Sequence, residues 1–169
     1  MVIDSSLTSL EIVGIAIKSE IEAAQVYDGL VQKVRNLALK DKLLFLKGEE
    51  EKHRAILEDM YAKAFPEVKL SPPPRSLLPK VDIALSEKTP VPDLLEIAME
   101  WEKLSEEFYA DFARRAEDAR GRAVLQYLSK MESSHYYLLK TERDFIAQFP
   151  DYYKVEEFHF GDEMVHLGP

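Results

Sequence analysis

Residues 46–57 read LKGEEEKHRAIL and residues 128–139 read LSKMESSHYYLL, two segments that set a glutamate and a histidine three residues apart in the same register: Glu50 with His53, Glu132 with His135. The offset of 82 residues between them extends upstream. There AIKSEIEAAQVYDGL (16–30) and AMEWEKLSEEFYADFA (98–113) carry Glu20 and Tyr27, then Glu102 and Tyr109. Positions i and i+3 share one helix face, so each Glu-x-x-His directs a carboxylate and an imidazole to a common point. A lone Glu-x-x-His is weak evidence. Two copies, each preceded by a lone glutamate at the same distance, give four carboxylates and two imidazoles, the ligand set of a two-metal site inside a four-helix bundle.

The flanking sequence supports helices at each of these places. Leu10, Val13, Ile17, Glu20, Ala24, Tyr27, Val31 and Val34 alternate at spacings of three and four, the mark of one buried helical stripe. Thr8 and Glu11 fit a capping box, and the helix they start is predicted to run to about residue 36 or 38. Leu39, Leu43, Leu46, Glu50, His53, Leu57, Met60 and Ala64 form a second stripe. The third contains Leu95, Met99, Glu102, Tyr109, Ala113 and Ala116, and the fourth Leu125, Leu128, Glu132, His135, Leu139 and Ile146. Gly121 and the short polar run before it supply the turn between these last two. Pro66, Pro72, Pro73, Pro74, Pro79, Pro90 and Pro92 forbid a continuous helix through the middle, because proline lacks an N–H and clashes with the preceding turn. That stretch is a crossover, with at most a short helix around Val81 to Leu85. Period-two alternation is absent, so strands are not expected.

The reading is therefore all-α: one domain over residues 1–149, built from helical pairs at about 8–65 and 92–148 joined by a long proline-rich crossover at 66–91. The tail, 150–169, is aromatic, with Tyr152, Tyr153, Phe158 and Phe160, and is expected to pack on the bundle or on a partner subunit.

Composition narrows the chemistry. With 169 residues, 46% of them hydrophobic, the chain can bury one substantial core. A formal net charge of −9 with dispersed basic residues argues against nucleic acid as a partner. No segment approaches the roughly 20 apolar residues of a membrane span, and no signal-peptide pattern opens the chain, so a cytoplasmic protein is expected. The absence of cysteine removes disulfides, thiolate-bound zinc and iron–sulfur clusters. Six glycines without a phosphate-cradling motif leave no nucleotide site.

Glu20, Glu50, Glu102 and Glu132 each sit between apolar neighbours on a core-facing stripe, where an unpaired carboxylate costs several kcal/mol or takes up a proton. No Lys or Arg shares those stripes near the ligand level, and two divalent cations would match the four charges. The bland alternative, ordinary core histidines beside solvated glutamates, has to explain six coincident positions in a duplicated register.

The duplicated pattern resembles the rubrerythrin-like branch of the ferritin-like superfamily, whose bundles hold two metals through Glu, Glu-x-x-His, Glu, Glu-x-x-His. The resemblance covers both helical pairs and implies two iron ions per bundle, with manganese or a mixed pair as alternatives. It also implies that Glu50 and Glu132 bridge the metals, that Glu20 and Glu102 are terminal ligands, and that His53 and His135 serve one metal each. Tyr27 and Tyr109 match family tyrosines that hydrogen-bond the carboxylates. Rubrerythrins carry a further carboxylate about one turn beyond the first Glu of the third helix. Glu106, at the position of Ala24 in the first copy, is the candidate here, one residue off the family spacing and with solvent exposure as the alternative. His159 and His166 lie outside the repeat and are assigned no metal role.

The resemblance implies a non-haem di-iron oxidoreductase that reduces hydrogen peroxide. The rivals are ferroxidase-type iron handling and a non-catalytic helical scaffold. A typical rubrerythrin ends in a four-cysteine rubredoxin-like module; without cysteine, a separate electron donor such as a rubredoxin-type protein is expected. A homodimer is expected, and the long crossover would permit domain swapping.

Overall fold

Thr8 opens the first helix as expected: its hydroxyl accepts from the Glu11 N–H at 3.3 Å while the Glu11 carboxylate accepts from the Thr8 N–H at 2.9 Å. In the computed structural model, which describes residues 7–74, 76 and 89–151, this begins α1 (Ser9–Lys33), followed by α2 (Leu37–Ala64), α3 (Val91–Arg115) and α4 (Ala119–Gln148). No strand occurs among the described residues. The predicted helix at Val81 to Leu85 and the tail beyond Asp151, with His159 and His166, lie outside them.

α1 ends at Lys33, short of the expected end at 36–38, and the cause is Asn36. Its side chain caps α2 by accepting from the Leu39 N–H at 3.0 Å, which requires an extended backbone there (φ −63°, ψ 120°) and stops the preceding helix. The same arrangement recurs 82 residues later. Asp118 caps α4 by accepting from the Gly121 N–H at 2.6 Å. Gly121 thus belongs to the first turn of α4 and not to the connection, a correction to the sequence reading. A Cβ there would stand 3.2 Å from the Asp118 carboxylate, so glycine lets this cap close tightly.

Each three-residue connection folds its helices back on one another, giving hairpins α1/α2 and α3/α4. The hairpins join through α1 with α3 and α2 with α4. Both junctions run antiparallel: Tyr27 meets Glu102 while Glu20 meets Tyr109, and His53 meets Glu132 while Glu50 meets His135. The two halves are thus related by a pseudo-twofold axis across the bundle.

Two apolar cores result, one on each side of the ligand level. One gathers Ile17, Leu57, Tyr61, Phe108, Tyr109, Phe112, Leu125 and Leu128; the other gathers Tyr27, Leu30, Leu39, Leu43, Leu46, Leu94, Leu95, Leu139 and Ile146. Ala64, expected inward, is exposed at the end of α2, and Tyr61 fills the core one turn earlier. The described start of the crossover lies over α1, with Pro73 Cδ 3.7 Å from where a Cβ on Gly14 would be, and Ser76 donates to Glu22 at 2.8 Å.

The caps yield a stability prediction. Asn36→Ala and Asp118→Ala should each cost about 1 kcal/mol, read as a lowered urea midpoint at unchanged slope. Two midpoints equal to the parent's would show that these side chains do not set the helix starts.

Candidate metal centre

All six residues singled out by the repeat converge at the bundle's mid-level, and each is at most 3% exposed. Their atoms form two overlapping groups, Glu20, Glu50, His53 and Glu132 in one and Glu50, Glu102, Glu132 and His135 in the other, with each group's donor atoms within 4.8 Å of one another. Glu50 and Glu132 belong to both. His53 Nδ1 lies 3.0 Å from Glu132, 3.3 Å from Glu50 and 3.6 Å from Glu20. His135 Nδ1 repeats this at 3.1 Å from Glu50, 3.5 Å from Glu102 and 3.8 Å from Glu132. The two imidazoles stack 5.4 Å apart at 13°.

The tyrosines cross over. Tyr27 of α1 donates to Glu102 of α3, and Tyr109 of α3 donates to Glu20 of α1, so each outer carboxylate is held by the opposite hairpin. Burial, and then the negative charge of Glu102 and Glu50, push the Tyr27 phenol well above its usual range and keep it a donor.

Electrostatics shows how unbalanced this assembly is. Burial is the main cause that raises Glu20 well above the ordinary carboxylate range; burial also raises Glu132, reinforced by the charges of Glu50, Glu102 and Glu20. Burial likewise opposes the charge on Glu50, but the close approach of the His135 and His53 imidazoles outweighs it and holds that carboxyl at about 2. Burial works against a charged His135 too, and the nearby carboxylates of Glu102 and Glu50 prevail, lifting it to about 9. His53 is raised in the same way through Glu132, Glu20 and Glu50. Protons therefore stand in for cations.

Even so, hydrogen bonding within the protein leaves the site unsatisfied. Both oxygens of Glu50, both nitrogens of His53 and His135, Glu102 Oε2 and Glu132 Oε1 are buried without a hydrogen-bond partner. Orphaned acceptors and nitrogens converging in one buried place are what a metal centre requires. The donor set of carboxylate oxygen and imidazole nitrogen, with no thiolate, suits iron or manganese.

Glu106 is not brought to this cluster. Its carboxylate lies 2.8 Å from Lys103 Nζ, and its side chain is 26% exposed; Ser105 is the buried neighbour. Glu49 went unnoticed in the sequence. It is buried, pairs with Lys52, and forms a third group of possible donors with His53 and His135. Its position four residues before His53, on the same helix face, was the available signal.

Two comparisons place this geometry among known proteins. The family model Rubrerythrin matches residues 11–143. The chain belongs to the rubrerythrin family. Among solved structures, a hypothetical protein from Pyrococcus furiosus is similar, with 32% identity, a TM-score of 0.75, and coverage of 83% of this chain and 92% of that one. No curated protein matches. Membership agrees with the ferritin-like bundle described above, and no described helix is long and apolar enough to cross a membrane.

For this rubrerythrin-family chain without metal, the sign of the pH dependence follows from His135 and Glu50. His135 is raised from 6.5 to about 9, so the stability it contributes is complete below about pH 6.5 and lost as pH rises through about 9. Glu50 is lowered from 4.5 to about 2, so its contribution is complete above about pH 4.5 and lost as pH falls through about 2. Chelator-treated protein should melt at progressively lower temperature from pH 6.5 to 9; a flat or rising melting temperature there would contradict these charge states.

Proposed function

We propose that this protein is a non-haem di-iron oxidoreductase that reduces hydrogen peroxide in oxidative-stress defence. The observation that carries the reading is the pair of four-donor groups sharing Glu50 and Glu132. In it, two iron ions would be held by Glu20, Glu50, His53 and Glu132 on one side and by Glu50, Glu102, Glu132 and His135 on the other, with Glu50 and Glu132 as the shared carboxylates, Glu20 and Glu102 as the outer ones, and one imidazole nitrogen for each ion. When bound as a ferrous pair, the metals supply one electron each, which together meet the two-electron demand of O–O cleavage.

The protein's own part is to hold this set in place. Tyr27 and Tyr109 fix the orientation of Glu102 and Glu20 through hydrogen bonds from the facing hairpin. Leu46, Leu57, Leu128 and Leu139, each fully buried, bracket the two Glu-x-x-His pairs and exclude bulk water. Protons held by Glu20, Glu132 and the imidazoles leave as the metals bind.

Electrons reach the centre from a rubredoxin-type donor, since these residues include no cysteine to hold a second redox centre in the bundle itself. The protein acts in the cytoplasm as a homodimer. Support for self-association comes from the apolar side chains that α2 and α4 leave exposed, among them Phe45 at 53% and Tyr137 at 63%. The rival function, oxidation of Fe(II) for storage or transfer, uses the same donors. Glu106, should it swing from Lys103, is the seventh ligand of the peroxidase reading.

Anaerobic loading should give two iron ions per chain, and Glu50→Ala combined with Glu132→Ala should abolish binding. Stopped-flow mixing of the diferrous protein should show faster oxidation by peroxide than by dioxygen. Full metal binding in the double variant would contradict the ligand assignment; faster dioxygen oxidation with mineral growth would move the function to iron handling.

A further inference from the structure

The two halves of the centre share their six donors, and one carboxylate just outside the six has no counterpart. Glu49 stands next to Glu50 on α2, whereas the position 82 residues on is Met131, next to Glu132 on α4. Glu49 is buried, and its carboxylate forms a group with His53 and His135 in which the donor atoms lie within 4.8 Å of one another. Met131 is half-buried and offers only a thioether, a weak acceptor.

Both imidazoles are in want of an acceptor. Their Nδ1 atoms face the cluster, 3.0 Å from Glu132 for His53 and 3.1 Å from Glu50 for His135. A ring that gives Nδ1 to a metal carries its proton on Nε2, which then can only donate. Both Nε2 atoms are buried, and neither has a hydrogen-bond partner among the described residues. Lys52, well exposed, donates to Glu49 Oε1; the buried carboxylate thus has a countercharge on its outer side, and its second oxygen is left for another donor.

We propose that Glu49 is a positioning residue for the metal pair: its carboxylate accepts from the Nε2–H of one imidazole, while the half that has Met131 in its place supplies no such acceptor for the other. The inference rests on the metal-centre reading above and adds that the two metal sites are unequal. A carboxylate on the remote nitrogen fixes the ring's tautomer and orientation and makes Nδ1 the stronger ligand. The metal on that imidazole is therefore held more tightly than its neighbour, although the six donors repeat.

Zinc-loaded protein with ¹⁵N-labelled histidine provides the test, the rings of His53 and His135 being those whose resonances move on loading. The parent should show one Nε2–H signal that is shifted downfield and protected from exchange, and should bind two zinc ions in separate steps. Glu49→Met, which copies the other half, should lose that signal and weaken the tighter step by about 10- to 100-fold, whereas Glu49→Gln, whose amide oxygen still accepts, should keep the signal. Glu49→Ala is the second variant should Glu49→Met not fold. Two equivalent Nε2–H signals in the parent, or a parent-like signal in a folded, zinc-loaded Glu49→Met or Glu49→Ala protein, would overturn the role of Glu49 alone. So would a third zinc ion per chain that is lost with the Glu49 carboxylate, since the group would then be a metal site. Failure of the parent to bind zinc would overturn the metal centre itself, and this inference with it.

Discussion

Four carboxylates and two imidazoles share one buried level of this bundle, and their mutual repulsion and thirst for partners is the constraint the rest of the structure serves. Burying a charge costs several kcal/mol unless it is paired. Here Glu20 and Glu132 rise out of the carboxylate range while His53 and His135 hold protons beyond theirs, so the metal-free site approaches balance only by protonation. Eight buried donor or acceptor atoms of the cluster still lack a hydrogen bond. A level like this persists because an apolar core lies on either side of it, with Leu57 and Leu128 in one and Leu46 and Leu139 in the other.

The pseudo-twofold relation explains how one short pattern builds a shared site. Caps at Asn36 and Asp118 start α2 and α4 at equivalent places, so the two Glu-x-x-His pairs arrive at the same height. The antiparallel meeting of the hairpins then lets each tyrosine reach across to the other half's terminal glutamate. Symmetry accounts for the donors, while departures from it shape what surrounds them: Glu106 with Lys103 where the first copy has Ala24, and Trp101 where it has Ser19. The departures from the repeat thus lie beside the cluster, where one half can change without disturbing Glu50 and Glu132.

Much of this was legible in the sequence because a helical stripe reports burial directly. Glu20, Glu50, Glu102 and Glu132 sit between apolar residues at spacings of three and four, and burial follows. Where periodicity falls silent, the reading failed. The end of α1 is set by the Asn36 side chain, and a glycine was taken for the turn although Asp118 had already begun the next helix around it. Glu49 stands in a run of three glutamates, and its angle on α2 turns it inward beside His53. That His135 also lies near it depends on the packing of two distant helices, which a one-dimensional pattern does not encode.

The central claim is that the buried cluster is a two-metal ligand set with Glu50 and Glu132 common to both ions. Anomalous difference scattering at the iron edge, from crystals grown with anaerobically loaded protein, tests it most directly. The account predicts two peaks, one enclosed by Glu20, Glu50, His53 and Glu132 and the other by Glu50, Glu102, Glu132 and His135. A map without iron at this level, or with a single ion touching neither Glu50 nor Glu132, would contradict it.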